Sequence, residues 1–292
     1  MRRASSWAPS PARDAGALTR SRFLELSARV PLLLAATLMN PTHARADEPD
    51  DGRTLPCRPT IACTADIVPP GAFEFEAGVL FRRLGSTARQ WTFPFLVKLT
   101  MERWLQLQVG SNGYSITRGD VPAQFFDDVQ VGGKVHLVDQ QGIAPSLSLS
   151  ALASIPTFRG QDYLRTYDAL FTAYLSKDLG PIHADLNVGE NVWRIEDDPR
   201  PQEFAALALS MNLPAPFGVM AESYYFTDAA PIASRDGGIL FAVSHSPTPW
   251  LMFDCGGDVG MFPSTRAYSL FVGMSMRPAR LWRPDAAVQE RR

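Results

Sequence analysis

The pattern that organises this chain has a period of two. Between Pro181 and Trp193, Ile182, Ala184, Leu186 and Val188 fall on one face of an extended segment, while His183, Asp185, Asn187 and Gly189 fall on the other. Similar alternation recurs from Phe73 to Met276 and predicts about twelve strands. They run Phe73 to Arg83, Trp91 to Thr100, Trp104 to Ile116, Asp127 to Val138, Ile143 to Ile155 and Leu164 to Lys177. The second half continues with Pro181 to Arg194, Gln202 to Leu213, Phe217 to Thr227, Gly237 to Ser246, Trp250 to Gly260 and Ala267 to Met276. Each has about the ~10 residues that cross a bilayer at a tilt.

The connections alternate in length. Met101 to Arg103, Asp139 to Gly142, Asp178 to Gly180, Pro214 to Pro216 and Pro247 to Pro249 are short; Thr117 to Phe126, Pro156 to Tyr163, Ile195 to Pro201 and Asp228 to Asp236 are long. An even strand count with short turns at one end and long loops at the other predicts an all-β, antiparallel, up-and-down transmembrane barrel of the Gram-negative outer-membrane type, with both termini periplasmic. Trp91, Phe93, Tyr114, Trp193, Tyr224 to Phe226, Trp250 and Tyr268 lie toward strand ends, where aromatic rings form interfacial girdles. A soluble sandwich or lipocalin-like barrel is the alternative, but its two loop ends would be of similar length.

Parity assigns an inside. With Phe73, Phe75, Ala77, Val79 and Phe81 toward lipid, Glu74, Glu76 and Arg82 point inward. The same rule places Lys98, Asp128, Lys134, His136, His183, Asp185, Glu222, Asp254 and Asp258 on the lumen side. The opposite register would put Arg or Lys into lipid at ~2–4 kcal/mol each near mid-depth. These mixed charges either line a conduction path or pair across a barrel filled by its own side chains.

Composition sharpens the ends of the chain. Arg2, Arg3, Arg20, Arg22 and Arg29 precede an apolar stretch, Val30 to Met39, and then Ala44-Arg45-Ala46, so residues 1–46 read as an export signal cleaved after Ala46. Its seven Arg and two acidic residues, taken from totals of 28 Lys+Arg and 30 Asp+Glu, leave a mature net charge of −7. That balance excludes a nucleic-acid partner of the basic-patch kind. Mean hydropathy is −0.08, too polar for a bundle of membrane helices. Residues 47–71 are an irregular periplasmic lead-in rich in Pro, Asp and Thr, which either hangs below the barrel or folds into its mouth. Cys57 and Cys63 within it are candidates for a disulfide, since two thiols without companion ligands make a poor metal site. The barrel spans 72–277 and a tail covers 278–292.

Enzyme chemistry finds little support. His245 and Ser246 are adjacent strand residues pointing to opposite faces, and no Gly-x-Ser-x-Gly, His-Glu-x-x-His or phosphate-binding Gly loop occurs. No catalytic residue, metal ligand set or cofactor is assigned. An outer-membrane lipid hydrolase built around His245 is the weakest of the functional readings.

The opening strand Phe73 to Arg83, the run Phe253-Asp254-Cys255-Gly256-Gly257-Asp258-Val259-Gly260 and the closing strand Ala267 to Met276 resemble outer-membrane barrels of the phenol-degradation MetA-pathway transporter family. The resemblance covers nearly the whole mature chain and implies a transporter admitting small compounds, aromatic or apolar ones among the candidates. One departure is the extension Arg277 to Arg292, where such barrels often finish on an aromatic. The expected function is passive entry of a small-molecule solute through the outer membrane, in contact with outer-membrane lipid, lipopolysaccharide and the barrel-assembly machinery. A structural or adhesive barrel with a plugged lumen, working through loops such as Thr117 to Phe126 and Arg194 to Glu203, is the alternative.

Overall fold

A computed structural model describes residues 51–119, 122–155, 157, 169–195, 198–229, 234–262 and 266–282. The proposed export signal and most of the C-terminal tail lie outside the described residues. Thirteen strands follow in chain order: β1 (Ala72–Leu84), β2 (Ala88–Glu102), β3 (Leu105–Arg118), β4 (Ala123–Phe126), β5 (Val129–Val138), β6 (Ser146–Ile155) and β7 (Ala169–Leu179). The remainder are β8 (Ile182–Ile195), β9 (Asp198–Asn212), β10 (Phe217–Phe226), β11 (Asp236–Thr248), β12 (Leu251–Gly260) and β13 (Tyr268–Arg280).

Every consecutive pairing is antiparallel, and β1 closes the wall by bonding both β2 and β13. The fourth wall position is shared. The first half of β3 pairs with β5, from Leu105↔Val135 to Gly110↔Gln130, and its outer half with β4, from Tyr114↔Phe126 to Thr117↔Ala123. The wall therefore has twelve strands, the fourth interrupted at Asp127-Asp128, and among the described residues β4 pairs with β3 alone.

Two connections differ from the sequence reading. Most of Thr117 to Phe126, expected as an open loop, extends the wall as the end of β3 and β4. Likewise β8 and β9 stay paired out to Ile195↔Asp198, so most of the connection expected over Ile195 to Pro201 is strand. Polar residues such as Asp198 and Arg200 weaken the alternation there without preventing backbone pairing, because outside a bilayer neither face of a ribbon must be apolar.

Burial is inverted relative to a water-soluble protein. Phe171, Phe241, Val243, Val259, Leu270 and Val272 are all more than half exposed on the outer surface, while Glu74, Glu76, Lys98, Lys134 and Glu222 are no more than 2% exposed. A contiguous apolar exterior of this kind requires a hydrocarbon solvent. Trp193, whose indole donates to the buried Gln202 at 3.1 Å, faces inward against the girdle expectation, and so do two aromatics of β10. Tyr224 is 2% exposed, and Phe226, two residues along on the same face, stacks on Phe204. Strand parity wins over the end-of-strand position, since of Tyr224, Tyr225 and Phe226 only Tyr225 can point outward.

Candidate functional site

The lead-in enters the lumen. Residues 53–70 form a re-entrant segment whose two ends sit at the short-turn mouth: Thr54 N–H donates to Pro249 O at 3.1 Å, and Arg280 Nε donates to Pro70 O at 2.8 Å. Between them the chain rises to the middle of the barrel and returns. A disulfide joins Cys57 and Cys63 across the turn of this segment.

The wall holds the segment chiefly by its backbone. Glu74 accepts from Leu55 N–H (2.8 Å), and Glu76 from Cys57 and Arg58 N–H (3.0 Å each). At the tip, Glu222 accepts from Ile61 (2.9 Å) and Ala62 (2.6 Å). Ser176 Oγ accepts from Ala65 N–H at 2.6 Å. Asn187, with its amide turned to satisfy both groups, bonds the Cys63 carbonyl at 2.9 Å and its N–H at 2.7 Å. Carbonyls are met by cations: Lys98 Nζ donates to Leu55 O at 2.6 Å, and Lys134 Nζ to Thr64 O and Asp66 O. Each buried carboxylate thus obtains the donors that make burial tolerable. Lys98 also bridges Glu74 (3.1 Å) and Glu76 (2.7 Å).

One side chain of the segment anchors it to the wall formed by β1, β13 and β12. Arg58 Nη2 reaches Asp254 Oδ1 at 3.4 Å and Val272 O at 3.3 Å. Its guanidinium lies against Gly78 and Gly273, which pair across β1 and β13; a Cβ on either glycine would stand 2.4 Å or 2.3 Å from Arg58 Nη2. The two glycines create the flat recess the guanidinium occupies.

The long-loop half is filled differently. Tyr224 Oη donates to Asp258 and accepts from Arg266, whose guanidinium also pairs with Asp236 (3.2 Å) and Asp258 (3.2 Å). Arg82 lies in the field of Asp236, Asp258 and Asp127. Burial and the neighbouring Arg82 charge lower the pKa of Arg266, in the loop before β13, to about 10, leaving it cationic at neutral pH. An apolar patch of Leu80, Met220, Leu240, Ala242 and Phe271 also faces the lumen.

The remaining expected residues fall as follows. His183 and Asp185 lie at the short-turn rim, with His183 bonding Asp178 (2.7 Å) and Asp185 (3.1 Å). Asp128 lies in the break between β4 and β5. His245 packs against the Phe217 ring at 5.0 Å. Sequence reasoning missed Arg58, Asp66, Tyr224, Asp236 and Arg266. A signal was present: the inward set contained seven acidic residues against Arg82, Lys98 and Lys134, and surplus buried carboxylates demand other donors.

No protein-family model and no curated protein matches the chain. Among solved structures it is similar to an outer membrane channel from Pseudomonas putida F1, with a TM-score of 0.53 and 12% identity over 73% of this chain and 97% of that one. Weaker likenesses include a NanC porin (TM-score 0.48, 11% identity, 69% and 98% covered) and the CymD monoaromatic hydrocarbon channel (0.39, 8%, 74% and 90%). The fold is that of a twelve-stranded outer-membrane β-barrel.

Proposed function

We propose that this protein is an outer-membrane channel for small solutes whose resting lumen is closed from the periplasmic side by its own amino-terminal segment. The observation that carries the reading is how that segment is held. Its main chain is bound by side chains of the wall through hydrogen bonds and ion pairs, with Ile61 and Ala62 its apolar contact near Tyr224, Ala206 and Ala208. Polar contacts of this kind exchange for water at little cost once the segment withdraws. The wall behind it is polar on strand after strand, as an aqueous path requires.

Two features support small aromatic or apolar compounds as the solute class. One is the resemblance to phenol-degradation transporters. The other is the inward patch around Leu240 and Phe271, on the same lumen wall as Glu222 and Asp258. Entry would be passive, driven by the solute gradient.

Replacing residues 53–68 by a short Gly-Ser linker and measuring flux into liposomes tests the proposal. The variant should still run as a compact, heat-modifiable band and admit solute much faster than the full chain. A correctly folded variant with no added flux would overturn the channel and favour the second reading, a structural barrel with a permanently filled lumen. The occupied lumen itself is what keeps that reading in play.

A further inference from the structure

We propose that Asp66, His136 and Asp139 form a divalent metal site that clips the lumen segment to the barrel mouth. The three come from different parts of the chain: the returning limb of the segment, β5, and the turn after β5. Their ligand atoms lie within 4.8 Å of one another.

The hydrogen bonding around His136 supplies a second, independent indication. Ser148 Oγ donates its proton to Ala65 O, so toward the imidazole both Ser148 Oγ (3.1 Å) and Ala65 O (3.2 Å) act as acceptors. Nδ1 therefore carries a hydrogen. In the neutral ring Nε2 then presents a lone pair, and it faces Asp139 Oδ1, a pure acceptor, at 2.9 Å. Two lone pairs at that separation need a cation between them, either a second proton or a metal ion. The Asp66 carboxylate adds a second anionic oxygen that a simple His–Asp pair does not require. A histidine whose Nδ1–H is fixed by a backbone carbonyl, with Nε2 aimed at a carboxylate, is arranged as metal-ligating histidines are.

One nitrogen and two carboxylate oxygens suit a borderline ion such as zinc, with water completing the shell. Ligand atoms ~2.1 Å from a tetrahedral zinc stand ~3.4 Å apart, so Nε2 and Asp139 Oδ1, 2.9 Å apart here, part slightly to admit the ion. The Asp139 side chain is 40% exposed and gives access from the mouth. Lys134, bonded to Asp66 O at 3.1 Å, places a positive charge nearby that weakens cation binding. The site's part in gating rests on the channel reading, whereas ion binding does not.

Titrating the full chain in detergent micelles with zinc chloride by calorimetry decides the matter. One ion per chain is expected, weakened about tenfold or more by His136→Gln and by Asp66→Asn, and unchanged by His183→Gln at the same rim. Asp66 is not part of the wall, so its substitution leaves barrel folding intact. Absence of saturable binding below millimolar zinc, equal loss in the His183 variant, or full affinity in Asp66→Asn would each overturn the site. Because no flux is measured, its failure is distinguishable from failure of the channel.

Discussion

The two halves of the lumen solve the same electrostatic problem in different ways. In the short-turn half, Glu74, Glu76, Glu222 and Asp254 receive their donors from a covalently attached but separate segment. In the long-loop half, Asp258 and Asp236 are met by Tyr224, Ser269 and Arg266, all belonging to the wall or its loops. The first arrangement can be withdrawn without dismantling the barrel, and the second cannot. In the channel proposed above, the short-turn half is the part that opens and the long-loop half the part that stays.

The contrast predicts a series of effects. The largest is expected from removing the segment, which should convert a closed barrel into a conducting one in planar bilayers. Adding Asp258→Asn to that variant should then change ion selectivity, whereas Asp258→Asn in the full chain should leave conductance low. If both backgrounds respond alike, the two halves do not act separately.

Next comes Lys98→Met, which leaves Glu74 and Glu76 buried without their shared cation and should cost about 3–5 kcal/mol. A lowered urea midpoint for the heat-modifiable band would register it. An unchanged midpoint would mean that water already serves those carboxylates.

Glu222→Gln keeps an acceptor but removes its charge. Charge-assisted bonds contribute ~1.5–3 kcal/mol against ~1 for neutral ones, so the segment should open about tenfold more often, read as channel-opening frequency or protease cleavage near Ile61. The smallest effect belongs to Gly78→Ala. Its new methyl group would meet the Arg58 guanidinium at 2.4 Å and the Val272 carbonyl oxygen of β13 at 2.6 Å, so the anchor must move and the β1–β13 ladder must give locally. A modest rise in opening with a small loss of barrel stability is expected, and unchanged opening would show that the recess serves the wall alone.

Most of the wall could be read from the chain alone. Alternation is local information: Leu186 and Val188 outward with Asn187 inward needs only the pleat of a strand and a solvent boundary on each side. Twelve wall positions and the up-and-down order follow from the same rule. It misleads at Trp193, Tyr224 and Phe226, where a place at a strand end outweighed parity in the reading, and beyond Ile195, where polar residues looked like loop but continue to pair.

The lumen's contents could not be read that way. The bonds that hold residues 53–70 join groups far apart in the chain, such as Cys57 to Glu76, Ala62 to Glu222 and Arg58 to Val272, separated by 19, 160 and 214 positions. Their donors are mostly main-chain N–H groups, which every residue except proline possesses, so no residue pattern announces them. Side-chain periodicity therefore specifies the cylinder, and only the closed three-dimensional arrangement, bringing carboxylates from β1, β10 and β12 around one space, decides what fills it.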